Sequence, residues 1–453
     1  MNKKQFFVIA LLMLISSSLS AACFEKLAQT AIERNLNLKI SKLEIEQSFI
    51  NEKDALNKLI PDLKFNVNKS HTTFKDSYQK SSPSSIDSML SYSLNLTQSY
   101  PGLGQIPGIQ REIAKLKTQM RKTARANKKT SVIKDLARVY FQLVREQELI
   151  KVHQTDLVLI KELLKIANLN LEVGLVLKND ILRIEVEGLN TQTNLLKSKN
   201  GFSNLHYDLA AILDYDSTSD LKLDLPEGLK FAPSSFTADA LWPVLLENDK
   251  EIKLAKLDIA ILRKAEKVAR SAHLPTLTFD GSYNYGRKLG PIEGTKDIKA
   301  TFILSTPIYN GNEIENSIRL AKKSRKIATL KLENLKNNKK ASLEKAVADY
   351  NEALARIDFA VKTIEQSYEN MRIVFTRYQE GASSIVELVD AQRILTNSAQ
   401  TAIKAFYDER IRLVEILLLI QDYQTLYRVD DNPATLEFEF LLNQLKLANG
   451  ETN

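Results

Sequence analysis

The sequence predicts a mainly α-helical fold with a β-barrel part, and three observations predict it. The chain is written twice, each half places two amphipathic strands between helices, and long stretches carry a heptad seam. Lys39, Ile40, Lys42, Leu43, Glu44 and Ile45 reappear as Lys253, Leu254, Lys256, Leu257, Asp258 and Ile259. Pro61, Leu63 and Phe65 reappear as Pro275, Leu277 and Phe279, at the same offset of 214 without a gap. Further on, Tyr100 and Gly102 match Tyr309 and Gly311, and Gly174 matches Gly381, so the two halves are related throughout.

Each half opens with a helix, read over Phe24 to Leu59 and Thr237 to Ala272, that closes before a proline unable to continue it. After those prolines the period changes to two. Leu63, Phe65 and Val67 alternate with Lys64, Asn66 and Asn68, and Leu90, Tyr92, Leu94 and Leu96 alternate with Ser91, Ser93, Asn95 and Thr97. In the second half Leu277, Phe279, Gly281 and Tyr283 alternate with Thr276, Thr278, Asp280 and Ser282, followed by a strand near Ile298 to Tyr309. These are four strands of about ten residues, long enough for a tilted membrane crossing. Four strands cannot close a barrel, which needs about eight, and an open edge in lipid leaves backbone groups unpaired. If the strands cross a membrane, several subunits must pool them.

The longest segments follow the helical period. Leu343, Val347, Tyr350, Leu354, Ile357, Val361, Ile364, Tyr368, Met371, Phe375 and Tyr378 keep alternating steps of four and three, a coiled-coil seam. Leu136, Leu143, Ile150, Leu157, Leu164 and Leu171 repeat it in the first half, where Glu146 and His153 interrupt it. An unbroken helix from Gln110 to Glu172 would be about 95 Å long. Between roughly Gly201 and Pro233 the heptads stop. With the tail after Val429 this segment predicts a small mixed belt, its last residues from Ala448 disordered. The organisation expected is a signal peptide over 1–22, a first repeat over 23–214, a linker over 215–236, a second repeat over 237–428 and a tail over 429–453.

Lys3 and Lys4 before the apolar run Phe6 to Ile15, then Ser16 to Ser18 and the small pair Ala21 and Ala22, read as an export signal. The mature chain contains no apolar stretch long enough for a transmembrane helix, so membrane passage falls to β-strands. The sole cysteine, Cys23, stands at the cleavage point and is a candidate for lipidation. Ser20 holds the slot where a lipoprotein signal carries leucine, which favours ordinary cleavage after Ala22.

Among 453 residues, 14 Gly and 11 Pro leave few turns for an all-β protein, and long helices use the length better. The net charge of +8 reads as spread along helix faces, and no arginine-rich segment with interleaved aromatics occurs, so nucleic acid is not an expected partner. "GLGQIPG" (Gly102 to Gly108) lacks phosphate-loop spacing and reads as a strand-to-helix turn. His71, His153, His206 and His273 show no metal spacing, no catalytic constellation is identifiable, and neither cofactor nor enzymatic activity is expected.

At the turns a resemblance becomes specific. "LEVGLVLKNDILRIE" (Leu171 to Glu185) and "RYQEGASSIVELVDAQRIL" (Arg377 to Leu395) resemble the two helix-turn-helix tips of the TolC family of outer-membrane efflux proteins. The proline-to-strand junctions at Pro61 and Pro275 and "TPIYNGNEI" (Thr306 to Ile314) are similar to further family landmarks, and the likeness spans about residues 24 to 427. The resemblance implies a homotrimer whose strands make a twelve-stranded outer-membrane barrel, continued into the periplasm by a coiled-coil tunnel of helices. It also implies outer-membrane lipid around the barrel, a periplasmic adaptor (membrane fusion) protein and an inner-membrane transporter as partners, in a tripartite efflux or type I secretion system.

The same resemblance assigns roles to residues. Val173, Gly174, Leu175 and Val176, with Gly381 in the second hairpin, match the tip where adaptors dock. Glu387 and Asp390 match a carboxylate ring at the pore constriction; their spacing of three puts both on one helix face, and three copies would favour cations. The bland alternative is a water-facing surface helix. Asp180 and Tyr378 match a hydrogen-bonded pair that locks the tip, although Tyr378 also ends the seam and fits simple packing, and Ser383 stands where some members carry arginine. A periplasmic coiled-coil adaptor or scaffold without a pore is the competing reading, since it needs only the helices.

Overall fold

The computed structural model describes residues 24–73, 86–172, 174, 176–215, 229–230, 236–288, 295–422 and 435–436. Cys23, the export signal, Val173, Leu175 and the tail from Ala448 lie outside them. The elements in chain order are α1 (24–34), α2 (Leu36–Asn57), β1 (Asp62–Thr73), β2 (Ile86–Tyr100), α3 (Gln105–Glu172) and α4 (Lys178–Leu213). There follow β3 (Leu229–Lys230), α5 (Ala238–Asn248), α6 (Lys250–Ser271), β4 (Thr276–Lys288), β5 (Thr295–Ser305), α7 (Glu313–Gln379), α8 (Ile385–Ile420) and β6 (Thr435–Leu436).

The backbone carries the duplication as closely as the sequence does. Gly102 and Leu103 are consecutive left-handed residues, and so are Gly311 and Asn312 at the matching place. Gly174 and Gly381 have φ of 78° and 75°, and the helix-ending Asp214 and Gln421 have φ of 56° and 60°. The helices α4 and α8 are both 36 residues long.

The opening helix of each half departs from the unbroken segment expected. It is interrupted at Asn35 and at Asp249, again at matching positions. Asn35 Oδ1 accepts the N–H of Asn37 at 3.1 Å and its Nδ2 donates to the Ile212 carbonyl at 3.2 Å. Such local side-chain bonds compete with the helical ladder. Asp249 takes non-helical backbone angles and keeps a buried carboxylate 3.1 Å from Lys339 Nζ.

Two compact units form, each drawing on both halves. One comprises residues 41–125 and 250–335. Its sheet has the order β1-β2-β4-β5, antiparallel at every step. The register sets Phe65, Leu94, Tyr283 and Ile298 side by side, and next to them Leu63, Leu96, Gly281 and Ala300. One residue along, Asn66, Ser93, Asn284 and Asp297 form a row, as do Lys64, Asn95, Ser282 and Lys299. Because side chains alternate across a strand, the sheet has one apolar and one polar face. β5 ends at Ser305, short of the expected Tyr309, because Pro307 has no N–H for the ladder. Glu266 ties α6 to α7 in this unit, receiving Arg270 at 2.8 Å and Arg325 at 2.9 Å.

The other unit comprises residues 1–40, 126–249 and 336–453. Its core runs along α3, α7 and α8, with Ile133, Leu136, Tyr140, Leu143, Leu343 and Tyr350 fully enclosed. In α7 the expected seam is buried at Leu343, Val347, Tyr350, Ile357, Ile364 and Met371, and a parallel stripe of Ala353, Ala360 and Ser367 is buried beside it. Glu146 and His153 occupy the register of Ala353 and Ala360 in the other half, so they belong to the flanking stripe rather than to the seam. α4 continues through Gly201 to Leu213, past the point where the heptads stop. Linker and tail meet where β3 pairs antiparallel with β6. Among the described residues, no helix is long and apolar enough to cross a membrane, and no cluster of His, Cys, Asp and Glu could hold a metal.

Candidate functional site at the hairpin tips

Gly174 and Gly381 turn the chain between α3 and α4 and between α7 and α8. Both have positive φ with open space where a Cβ would stand, a conformation glycine reaches without steric cost. The Gly174 N–H donates to the Leu171 carbonyl at 3.0 Å; after α7, Gly381 donates to Tyr378 and Ala382 to Arg377, closing the helix end. Below the turns Ile160, Leu163, Ala167, Ile181, Ile184, Met371, Ile385, Leu388 and Leu395 form a common apolar cluster, with Val176 packed against it.

Glu387 and Asp390 stand on α8 away from that cluster. Ser384 caps the helix, its Oγ accepting the Glu387 N–H at 3.2 Å, and Ser383 Oγ donates to Glu387 Oε2 at 2.5 Å. Ser383 therefore engages the carboxylate proposed for the constriction. Asp390 is 3.4 Å from Arg393 Nη2 on the same helix. A cleft of about 460 Å³ runs between α4 and α8 here, with Asp180, Arg183, Glu187, Asp390 and Arg393 on its wall.

Asp180 and Tyr378 do not bond to each other within this chain. Asp180 turns its carboxylate back onto the Leu177 N–H at 3.3 Å, capping α4. The Tyr378 hydroxyl accepts Asn170 Nδ2 at 2.9 Å, joining α7 to α3. Four turns farther from the tip, Asp156 of α3 is buried and accepts three hydrogen bonds. Thr191 Oγ1 of α4 donates at 2.9 Å, and Gln392 Nε2 and Thr396 Oγ1 of α8 donate at 2.7 and 2.8 Å. Neither Asn170 nor Asp156 was expected from the sequence. Their signal was present: they stand two heptads apart, polar residues at one recurring position of a buried stripe, a pattern that fixes register.

Two ionisable groups of this unit are displaced by burial. His153 is buried with no hydrogen bond to Nδ1, and desolvation lowers its pKa against the opposing pull of Asp156 and Glu146. Glu409 is fully enclosed, and desolvation raises its pKa against the opposing effects of Arg410 and Tyr350.

Residues 241–420, almost the whole second half, match the family model described as outer membrane efflux protein. The chain is 22% identical to the outer membrane protein TolC of Vibrio cholerae over 440 residues, covering 94% of this chain and 95% of that protein. Among solved structures, the outer-membrane channel OprN superposes with a TM-score of 0.77 at 17% identity, over 88% of this chain and 90% of that one. The CmeC outer membrane channel of Campylobacter jejuni gives 0.75 at 17% identity, over 92% and 90%. Two glycine-turned hairpins, a duplicated strand pair and these likenesses agree in indicating an outer-membrane efflux protein similar to those of the TolC family, with a large helical part.

Proposed function

We propose that three copies of this chain form one conduit, a twelve-stranded outer-membrane barrel continued by a periplasmic helical tunnel. The conduit would serve as the outer component of a tripartite efflux or type I secretion system. The observation that carries this reading is the two-faced sheet. Its apolar face is open, with Phe65 65%, Ile298 81% and Phe302 74% exposed. The opposite face carries the polar rows Asp62, Thr97, Asp280, Thr301 and Lys64, Asn95, Ser282, Lys299 and Asn66, Ser93, Asn284, Asp297. Both outer strands, β1 and β5, have an unpaired edge. In lipid such an edge costs several kcal/mol per unsatisfied group, and pairing β5 of one copy with β1 of the next removes it.

Unpartnered heptad stripes on the helices support the same assembly. Leu182, Val186, Leu189 and Leu196 of α4 follow steps of four, three and seven and are exposed, as are Leu36, Ile40, Leu43 and Ile50 of α2. Seams of this kind await neighbouring helices. A scaffold without a pore would account for the stripes but not for a sheet with an apolar face.

In the assembled conduit Val173 to Val176 and Gly381 would meet the periplasmic adaptor, and an inner-membrane transporter would supply the cargo. Glu387 and Asp390 would ring the constriction, with Tyr378 and Asp180 near its closure. Purified mature protein in planar bilayers tests the reading. Discrete conductance steps from a crosslinkable trimer are expected; a soluble monomer without conductance would replace the channel by the scaffold.

A further inference from the structure

We infer that Asp156 is the bolt that keeps the second hairpin seated on the first, so that the closed tip depends on its carboxylate; this rests on the channel reading above. The carboxylate bonds both α4 and α8 from α3, and each of its oxygens is used. The partners are enclosed too: Thr191 and Gln392 are buried, and Thr396 partly so. The site lies immediately above the apolar cluster of Ile160, Leu163, Leu388 and Leu395.

The chemistry makes this tie all-or-none. A carboxylate out of water is tolerated when several donors point at it, and removing them leaves a buried charge without compensation. Leucines at the same place would hold the helices at least as firmly but would let them slide, since apolar contact has no preferred direction. Three directed bonds instead fix one arrangement of α8 against α3 and α4, and moving α8 away breaks two of them together. When α8 leaves, water can reach Asp156 and solvate it. The open arrangement is therefore reachable once an outside force supplies the difference, a bistable contact of the kind that switches use.

Gln392 adds a detail that sharpens the test. Its Oε1 is buried and makes no hydrogen bond to the protein. In Asp156→Asn the new amide could donate to that oxygen after Gln392 rotates, so this variant should retain much of the tie. Asp156→Ala cannot.

Full mature protein is reconstituted in planar bilayers as wild type, Asp156→Ala, Asp156→Asn, Gln392→Leu and Thr191→Val with Thr396→Val. Leu136→Ala serves as a destabilised control, since Leu136 is fully buried in the same unit but far along α3 from the tip. Asp156→Ala should raise the resting conductance roughly tenfold or more. Gln392→Leu and the threonine pair should fall between, Asp156→Asn near wild type, and Leu136→Ala at wild type despite a lower melting temperature. The inference is overturned if folded Asp156→Ala trimers stay as closed as wild type, or if Leu136→Ala leaks equally. If Asp156→Ala fails to assemble, closed Gln392→Leu and threonine-pair trimers overturn it instead. Absence of wild-type conductance would reject the channel itself, a result separate from these.

Discussion

Asn170 Nδ2 donates to the hydroxyl of Tyr378 at 2.9 Å, bonding the last turn of α3 to the last turn of α7 across 208 positions of sequence. The tyrosine that the family pattern assigns to a lock thus has, within its own chain, a partner other than Asp180.

Removing either side should loosen the tip by the same amount. Tyr378→Phe and Asn170→Ala are each expected to cost about 1 kcal/mol of hairpin association, and the double variant no more than either alone. Resting conductance of the three variants measures this, and additive effects would mean that the bond is not shared.

Charge at α8 should set selectivity. Glu387→Gln with Asp390→Asn is expected to lower the preference for cations severalfold in reversal potentials measured across a salt gradient. Arg393→Gln should raise it, because Arg393 stands 3.4 Å from Asp390 and offsets its charge. Unchanged reversal potentials in both variants would take this helix face out of the pore.

The sheet predicts opposite outcomes for neighbouring positions. Phe302→Lys places a charge on the apolar face and should cost about 2–4 kcal/mol if that face meets the bilayer interior. Thr301→Lys, one residue away on the polar face, should leave membrane assembly unchanged. The fraction of trimer recovered in the outer membrane distinguishes them.

Acid and base should act on the helical unit through two buried groups in opposite directions. His153 has a lowered pKa in the fold, so the unfolded chain binds the proton first. Its contribution is complete above about pH 6.5, where a free imidazole titrates, and falls as pH drops below it. Glu409 has a raised pKa, so the folded state holds the proton more tightly, and stability declines as pH rises above about 4.5. His153→Gln should remove the acid-side loss and Glu409→Gln the alkaline-side decline, read as melting temperature against pH.

Two matching glycines should respond unequally. Gly102→Ala forces a side chain into left-handed backbone and sets its Cβ 2.8 Å from the Ser271 carbonyl, at an expected cost of about 2–3 kcal/mol. Gly311→Ala meets the same backbone but open space, and should cost about 1 kcal/mol. Thermal unfolding of the two variants checks the difference.

By itself the sequence determined the duplication, the strand pairs, the long seams and the glycine turns. Each is written in local spacing: period two for the pleat, steps of three and four for the helix, and a residue without a Cβ where φ is positive. Only the tertiary structure decided which polar residues of the buried stripes find partners. Asp156 meets Gln392 and Thr396, and Asn170 meets Tyr378, across more than two hundred positions each. The breaks at Asn35 and Asp249 are of the same kind, since their side chains bond Ile212 and Lys339 from distant helices. Periodicity tells which face of a helix is turned inward. What that face touches depends on how other helices pack against it, and hydrogen bonds between helices are made only once that packing is in place.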